Sequence, residues 1–114
     1  MSLFTVLGSL FLFGLAGLAE IGGGWLVWQV VREGASWFWA LVGGAVLICY
    51  GFIPTLQPVK EFGRVYAAYG GWFIILSLLW GWLIDKQNPD KWDLLGAGFC
   101  IIGAVIIIYG PRSA

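Results

Sequence analysis

The sequence predicts an all-α integral membrane protein, one domain of four transmembrane helices spanning residues 1–114. Three observations predict it. The chain is 61% hydrophobic and only 11% charged, against about 25% charged in typical soluble domains. Charged and turn residues divide it into four apolar segments, about 3–31, 36–56, 65–84 and 93–109. A membrane-spanning helix takes about 17–25 mostly apolar residues, so each segment is long enough.

The first segment, "LFTVLGSLFLFGLAGLAEIGGGWLVWQVV", begins like a signal-peptide core. No Lys or Arg precedes it, and the apolar run continues past Glu20 through Val31, so it is read as a span. "REGA" at 32–35 is a tight turn into the second segment, which Trp37 and Trp39 open. "QPVKEFGR" at 57–64 leads to the third, closed by Trp80 and Trp82. In "DKQNPDKW" at 85–92, Asn88 is expected to cap the fourth helix with Pro89 at its first position. Trp92 precedes that helix. Tryptophans at segment ends suit an aromatic belt at the lipid headgroups.

Charge excludes several function classes. Six Lys and Arg balance six Asp and Glu, so no basic field draws the chain to nucleic acid. With no His and no cysteine pair at ligand spacing, neither a metal site nor a cofactor is expected. Cys49 and Cys100 fall inside apolar runs, where they read as small hydrophobes. No nucleophile–base pair is visible, so enzyme activity is not expected.

Cytoplasmic loops carry the excess of Lys and Arg in most membrane proteins. Here Lys60, Arg64 and Arg112 fall on one side, against Arg32, Lys86 and Lys91 on the other. Three against three gives no preferred orientation, as insertion both ways round would require. Secondary transporters often build their site between inverted repeats. Four helices without an internal repeat make half of such a structure, so an antiparallel homodimer is expected. A heterodimer with a related subunit is the variant of that reading. Gly96, Gly103 and Gly110 recur every seven residues, a stripe that lets helix backbones meet closely in lipid. The same stripe would also serve packing within one subunit.

Glu20 lies deep in the first segment. A carboxylate at that depth costs several kcal/mol and cannot snorkel to the interface as a lysine does. Intramembrane acids usually mark ion or proton pathways, so Glu20 is the candidate proton and substrate carboxylate. The structural alternative is an acid held protonated between helices, or one with Arg64 as its charge partner. Ala16 and Gly24 flank Glu20 at four residues either side, and Gly17 and Gly23 at three. These small residues clear space, for a ligand cavity or for a close helix contact. Phe13 and Trp28 lie farther along this face.

In the third segment, Tyr66, Tyr69, Phe73 and Ser77 share a helical face. Aromatic faces attract desolvated cations, though in a chain this aromatic many such rings simply pack. The adjacent Gly70 and Gly71 form a small-residue pair of the kind that bends helices.

"AEIGGGWLVW", "GRVYAAYGGWFI", "LLWGWLIDKQNPDKWDLLGA" and "YGPR" closely resemble the YnfA family of small bacterial inner-membrane proteins. The resemblance covers nearly the whole chain. More distantly, the pattern is similar to the small multidrug resistance transporters, four-helix proteins that work as antiparallel dimers. That resemblance implies exchange of protons for cations through Glu20. It also implies Tyr66 as a substrate-lining tyrosine, Gly70 and Gly71 as the bend, and Gly96 with Gly103 as the dimer contact. Two departures stand out. Tyr69 takes the place of a site-lining tryptophan, and Arg64 enters just before the third segment with a charge that opposes a cation if turned inward.

The leading functional expectation is therefore a proton-coupled exporter of small, partly apolar cations in the bacterial inner membrane. Its partners are the lipid bilayer, a second copy, the cation and protons. The alternatives are a non-transporting membrane subunit and a small ion channel. The channel is disfavoured because little beyond Gln29, Thr55, Gln57 and Ser77 punctuates the apolar segments.

Overall fold

The computed structural model describes residues 2–112. Its regular structure among the described residues is helical: α1 spans Leu3–Glu33, α2 Trp37–Phe52, α3 Phe62–Leu83 and α4 Lys91–Tyr109. A 3-10 turn, Ile53–Leu56, continues α2. All four helical segments, with that turn counted into the second, are long and apolar enough to cross a membrane.

Local chemistry sets each end. Ser2 caps α1 by accepting a hydrogen bond from the Thr5 amide at 3.1 Å. Gly34 stops it in the left-handed conformation, φ 76°, where the lack of a Cβ removes the strain. Ser36 then caps α2, accepting from the Phe38 amide at 3.3 Å. At the far end Pro54, which has no amide hydrogen, sits in the first turn of the 3-10 segment and the α-helical ladder ends there.

The fourth helix starts differently from the expectation at Asn88 and Pro89. Asp90 is the N-cap and Lys91 the first helical residue. The reason is a reciprocal capping box. The Asp93 amide donates to Asp90 Oδ1 at 2.8 Å, and the Asp90 amide donates to Asp93 Oδ2 at 3.0 Å. Both carboxylates also sit at the positive end of the helix dipole. At the other end Arg112 caps α4, its guanidinium donating to the carbonyls of Ile107 at 2.7 Å and Gly110 at 3.2 Å. The third helix begins at Phe62, three residues ahead of the expected start at Val65.

The chain divides into two compact units, one ending at Gln57 and one beginning at Pro58. Each is a helical hairpin: α1 packs on α2 in the first, and α3 on α4 in the second. Glycine sets the approach in both. A Cβ on Gly23 would fall 2.9 Å from the Gly43 carbonyl oxygen, and one on Gly43 would fall 2.7 Å from that of Gly23. In the second hairpin, a Cβ on Gly71 would meet Ala104 Cβ at 2.6 Å and the Cys100 carbonyl oxygen at 2.7 Å. In lipid, where helices gain little from hydrophobic burial, such backbone proximity supplies much of the association.

The outward surface is apolar, with Phe4 88% and Phe99 70% exposed, as a lipid-facing surface requires. Trp37, Trp39, Trp82 and Trp92 are exposed near helix ends. Arg32 lies 4.6 Å from the ring centre of Trp28, and Lys91 lies 5.2 Å from that of Trp92. Basic groups beside tryptophans near helix ends match the expected belt. Trp80 is only half-buried rather than exposed.

Candidate functional site

Glu20 is the acid to place first. It lies 17 residues from Leu3 and 13 from Glu33, about 25 Å and 20 Å along the helix. The hydrocarbon core of a bilayer is about 30 Å thick, so a spanning α1 holds this carboxyl well inside it. At about 100° per residue, Ser9, Phe13, Ala16, Glu20 and Gly23 form one stripe along α1. Ser9, Phe13, Ala16 and Gly23 on that stripe are buried, and Glu20 is half-buried.

The small neighbours of Glu20 differ in what surrounds them. Gly23 is spent on the contact with α2, next to Gly43 and Leu47. Gly24 is exposed, and a Cβ there would meet nothing within 4 Å. Ala16 is buried, 1% exposed, one turn before the acid. Glu20 thus has a packed shoulder at Gly23 and an open one at Gly24.

The second hairpin carries the aromatic residues. Tyr69 is buried, 5% exposed, with its ring centre 6.0 Å from that of Phe73. Tyr66 is half-buried and stacks instead on Phe62, centres 4.3 Å apart. The arc holding Tyr66, Tyr69 and Phe73 lies on the side of α3 away from the Gly71 contact with α4. Ser77, on the edge of that arc, has a buried hydroxyl with no hydrogen-bond partner among the described residues. The helix runs unbroken through Gly70 and Gly71. Gly71 is used in the contact with α4, whereas Gly70 is exposed with open space at its Cβ.

Arg64 is exposed in the first turn of α3, with its guanidinium 3.6 Å from Glu61. On α4, Gly96 and Gly103 both face open space, about 110° round the helix from the buried line of Ala97, Ala104 and Ile108. Gly110, third in that stripe, is the C-cap of α4. No group of three potential metal ligands occurs among the described residues.

Sequence reasoning missed one polar constellation. The Ser9 hydroxyl donates to Gln57 Oε1 at 2.6 Å, and Gln57 Nε2 donates to the Ser9 carbonyl at 3.0 Å. Ser9 is 1% and Gln57 8% exposed. Forty-eight residues separate them, and no local pattern pairs a serine in an apolar run with a loop glutamine.

The family comparison covers nearly all of these residues. The family described as "Uncharacterised BCR, YnfA/UPF0060 family" matches residues 6–113. This chain belongs to the YnfA/UPF0060 family. Among its relatives, a UPF0060 membrane protein of Nocardia farcinica is 58% identical over 109 residues, 96% of this chain and 98% of that protein. Another, from Desulfitobacterium hafniense, is 53% identical, covering 92% of this chain and 97% of its own. A third, from Staphylococcus haemolyticus, is 54% identical across 95% of this chain and its own full length. No solved structure matches the chain. With four spanning-length helices and relatives named as membrane proteins, this YnfA/UPF0060 chain is a membrane protein.

Proposed function

We propose that this protein is a proton-coupled exporter of small, partly apolar cations, working in the bacterial inner membrane as an antiparallel pair of copies. Glu20 is the observation that carries the reading. A carboxyl on the packed stripe of a membrane-spanning helix, with Ala16 tight on one side and Gly24 open on the other, binds a proton or a cation but not both at once. That competition is sufficient for exchange: protons arriving from one side displace the cation, and the reverse follows when access changes.

Four further features support the reading. Tyr66, Tyr69 and Phe73 supply aromatic faces, which hold desolvated cations with about 2 kcal/mol or more. Arg64 is engaged by Glu61 near the end of α3, leaving its charge at the helix terminus. Gly96 and Gly103, open on the flank of α4, offer a small-residue surface to a second copy. Gly70 beside Gly71 gives α3 a place to flex as access alternates. The protein performs no covalent chemistry in this account and needs no cofactor.

The experiment is proton movement in proteoliposomes on adding guanidinium, ethidium or a quaternary ammonium, comparing wild type with Glu20→Gln. Cation-driven proton efflux that vanishes in a folded Glu20→Gln protein supports exchange. Absence of proton movement from folded wild type with every cation rejects it, and Glu20 is then a structural acid of a non-transporting subunit.

A further inference from the structure

We infer that the Ser9–Gln57 pair is a polar gate that closes one end of the α1 stripe on which Glu20 lies, keeping protons from that end until the pair opens. The inference rests on the exporter reading and adds to it the residues that control access.

The geometry begins with burial. Ser9 and Gln57 are the buried polar side chains of the core among the described residues, and each is satisfied by the other. Burying polar groups in an apolar setting is costly unless they are hydrogen-bonded, and here each residue both donates to and accepts from the other. An apolar pair would fill the same space without that requirement. A reciprocal amide–hydroxyl pair does something an apolar pair does not: when parted, both groups bind water, so the open state is also satisfied.

The stripe supplies the path. Ser9 precedes Glu20 by 11 residues, three turns and about 16 Å, and falls within about 20° of it around the helix. Between them on the same line stand Phe13 and Ala16, each 1% exposed. The closed gate is thus a hydrogen-bonded lock with an apolar plug behind it. Water that passes Ser9 and displaces the Phe13 ring reaches the carboxyl.

The mobile part is the segment that carries Gln57. It follows the 3-10 turn Ile53–Leu56, which holds Pro54 in its first turn, and short 3-10 stretches next to α-helices often mark hinges. Gln57 itself is extended, φ −64° and ψ 145°, as the residue before a proline tends to be. Its backbone amide donates to the Pro54 carbonyl at 3.2 Å. A small rotation at Pro54 withdraws the amide side chain from α1 without unwinding either helix.

The test is proton leak without substrate. Full-length protein is reconstituted in liposomes under a potassium–valinomycin potential, as wild type, Ser9→Ala, Gln57→Ala, and each combined with Glu20→Gln. Gln57→Ala removes both bonds and is expected to raise the leak several-fold. Ser9→Ala keeps the bond from Gln57 Nε2 to the backbone and is expected to raise it less, which guards against a misfolded Gln57 variant. Glu20→Gln is expected to return both leaks to the wild-type level. Normal cation-driven exchange with no added leak in folded variants overturns the gate and leaves the exporter reading standing. A leak that survives Glu20→Gln also overturns it, because the variants have then merely loosened the bundle. Absence of cation-driven proton flux in wild type overturns the exporter reading and the gate with it.

Discussion

Gly23 of α1 and Gly43 of α2 meet backbone to backbone: a Cβ on either would lie within 3 Å of the other's carbonyl oxygen. This contact fixes where α1 crosses α2. It therefore fixes which side of α1 is packed and which stays open around Glu20, three residues earlier.

Gly23→Ala and Gly43→Ala are therefore expected to destabilise the first hairpin by about 1–3 kcal/mol, the usual cost of overpacking. Gly24→Ala, with open space at its Cβ, is expected to leave stability unchanged or to raise it slightly through helix propensity. Unfolding in mixed micelles with rising denaturing detergent reads the difference.

The same comparison applies to the adjacent pair in α3. Gly71→Ala would place a methyl against Ala104 and Cys100 and is expected to weaken the second hairpin by a similar amount. Gly70→Ala is expected to preserve the fold while slowing transport, if flexibility at this pair serves the cycle. Stability and transport rate, measured on the same two variants, separate the roles.

At the start of α4, Asp90→Ala removes a side-chain cap and half of the box and is expected to cost about 1 kcal/mol. Asn88→Ala is expected to cost nothing measurable, since α4 begins after it. Thermal unfolding of the two variants in one detergent checks the assignment.

Much of this was legible in the sequence. Four apolar runs between short polar breaks predict the helices, because a bilayer demands both length and uninterrupted hydrophobicity. What the runs conceal is orientation. The first helix is apolar on nearly every side, so hydrophobic pattern alone does not say which of Gly22, Gly23 and Gly24 meets α2. That choice is made by Gly43, twenty residues past Gly23. The cap of α4 differs from the local signal for a local reason: Asn88 and Pro89 carry a good start signal, but Asp90 and Asp93 satisfy two amides reciprocally and prevail. Ser9 with Gln57 was illegible because their pairing exists only once α2 has returned alongside α1.

The open glycines of α4 bear on assembly. A Cβ on Gly103 would meet nothing within 4 Å, so Gly103→Leu is expected to leave the monomer folded while breaking a two-copy assembly. Single-molecule photobleaching in liposomes at low protein density counts the copies. An unchanged dimer in this variant rejects the α4 surface as the contact.

The central claim is that one carboxyl, Glu20, binds proton and cation in competition. Proton release on cation binding tests it most directly, measured with a pH dye on detergent-solubilised protein in weak buffer as a quaternary ammonium is added. Competition at Glu20 predicts saturable acidification by wild type and none by Glu20→Gln at equal protein concentration. Cation binding without acidification in wild type, or equal acidification in Glu20→Gln, would contradict the account.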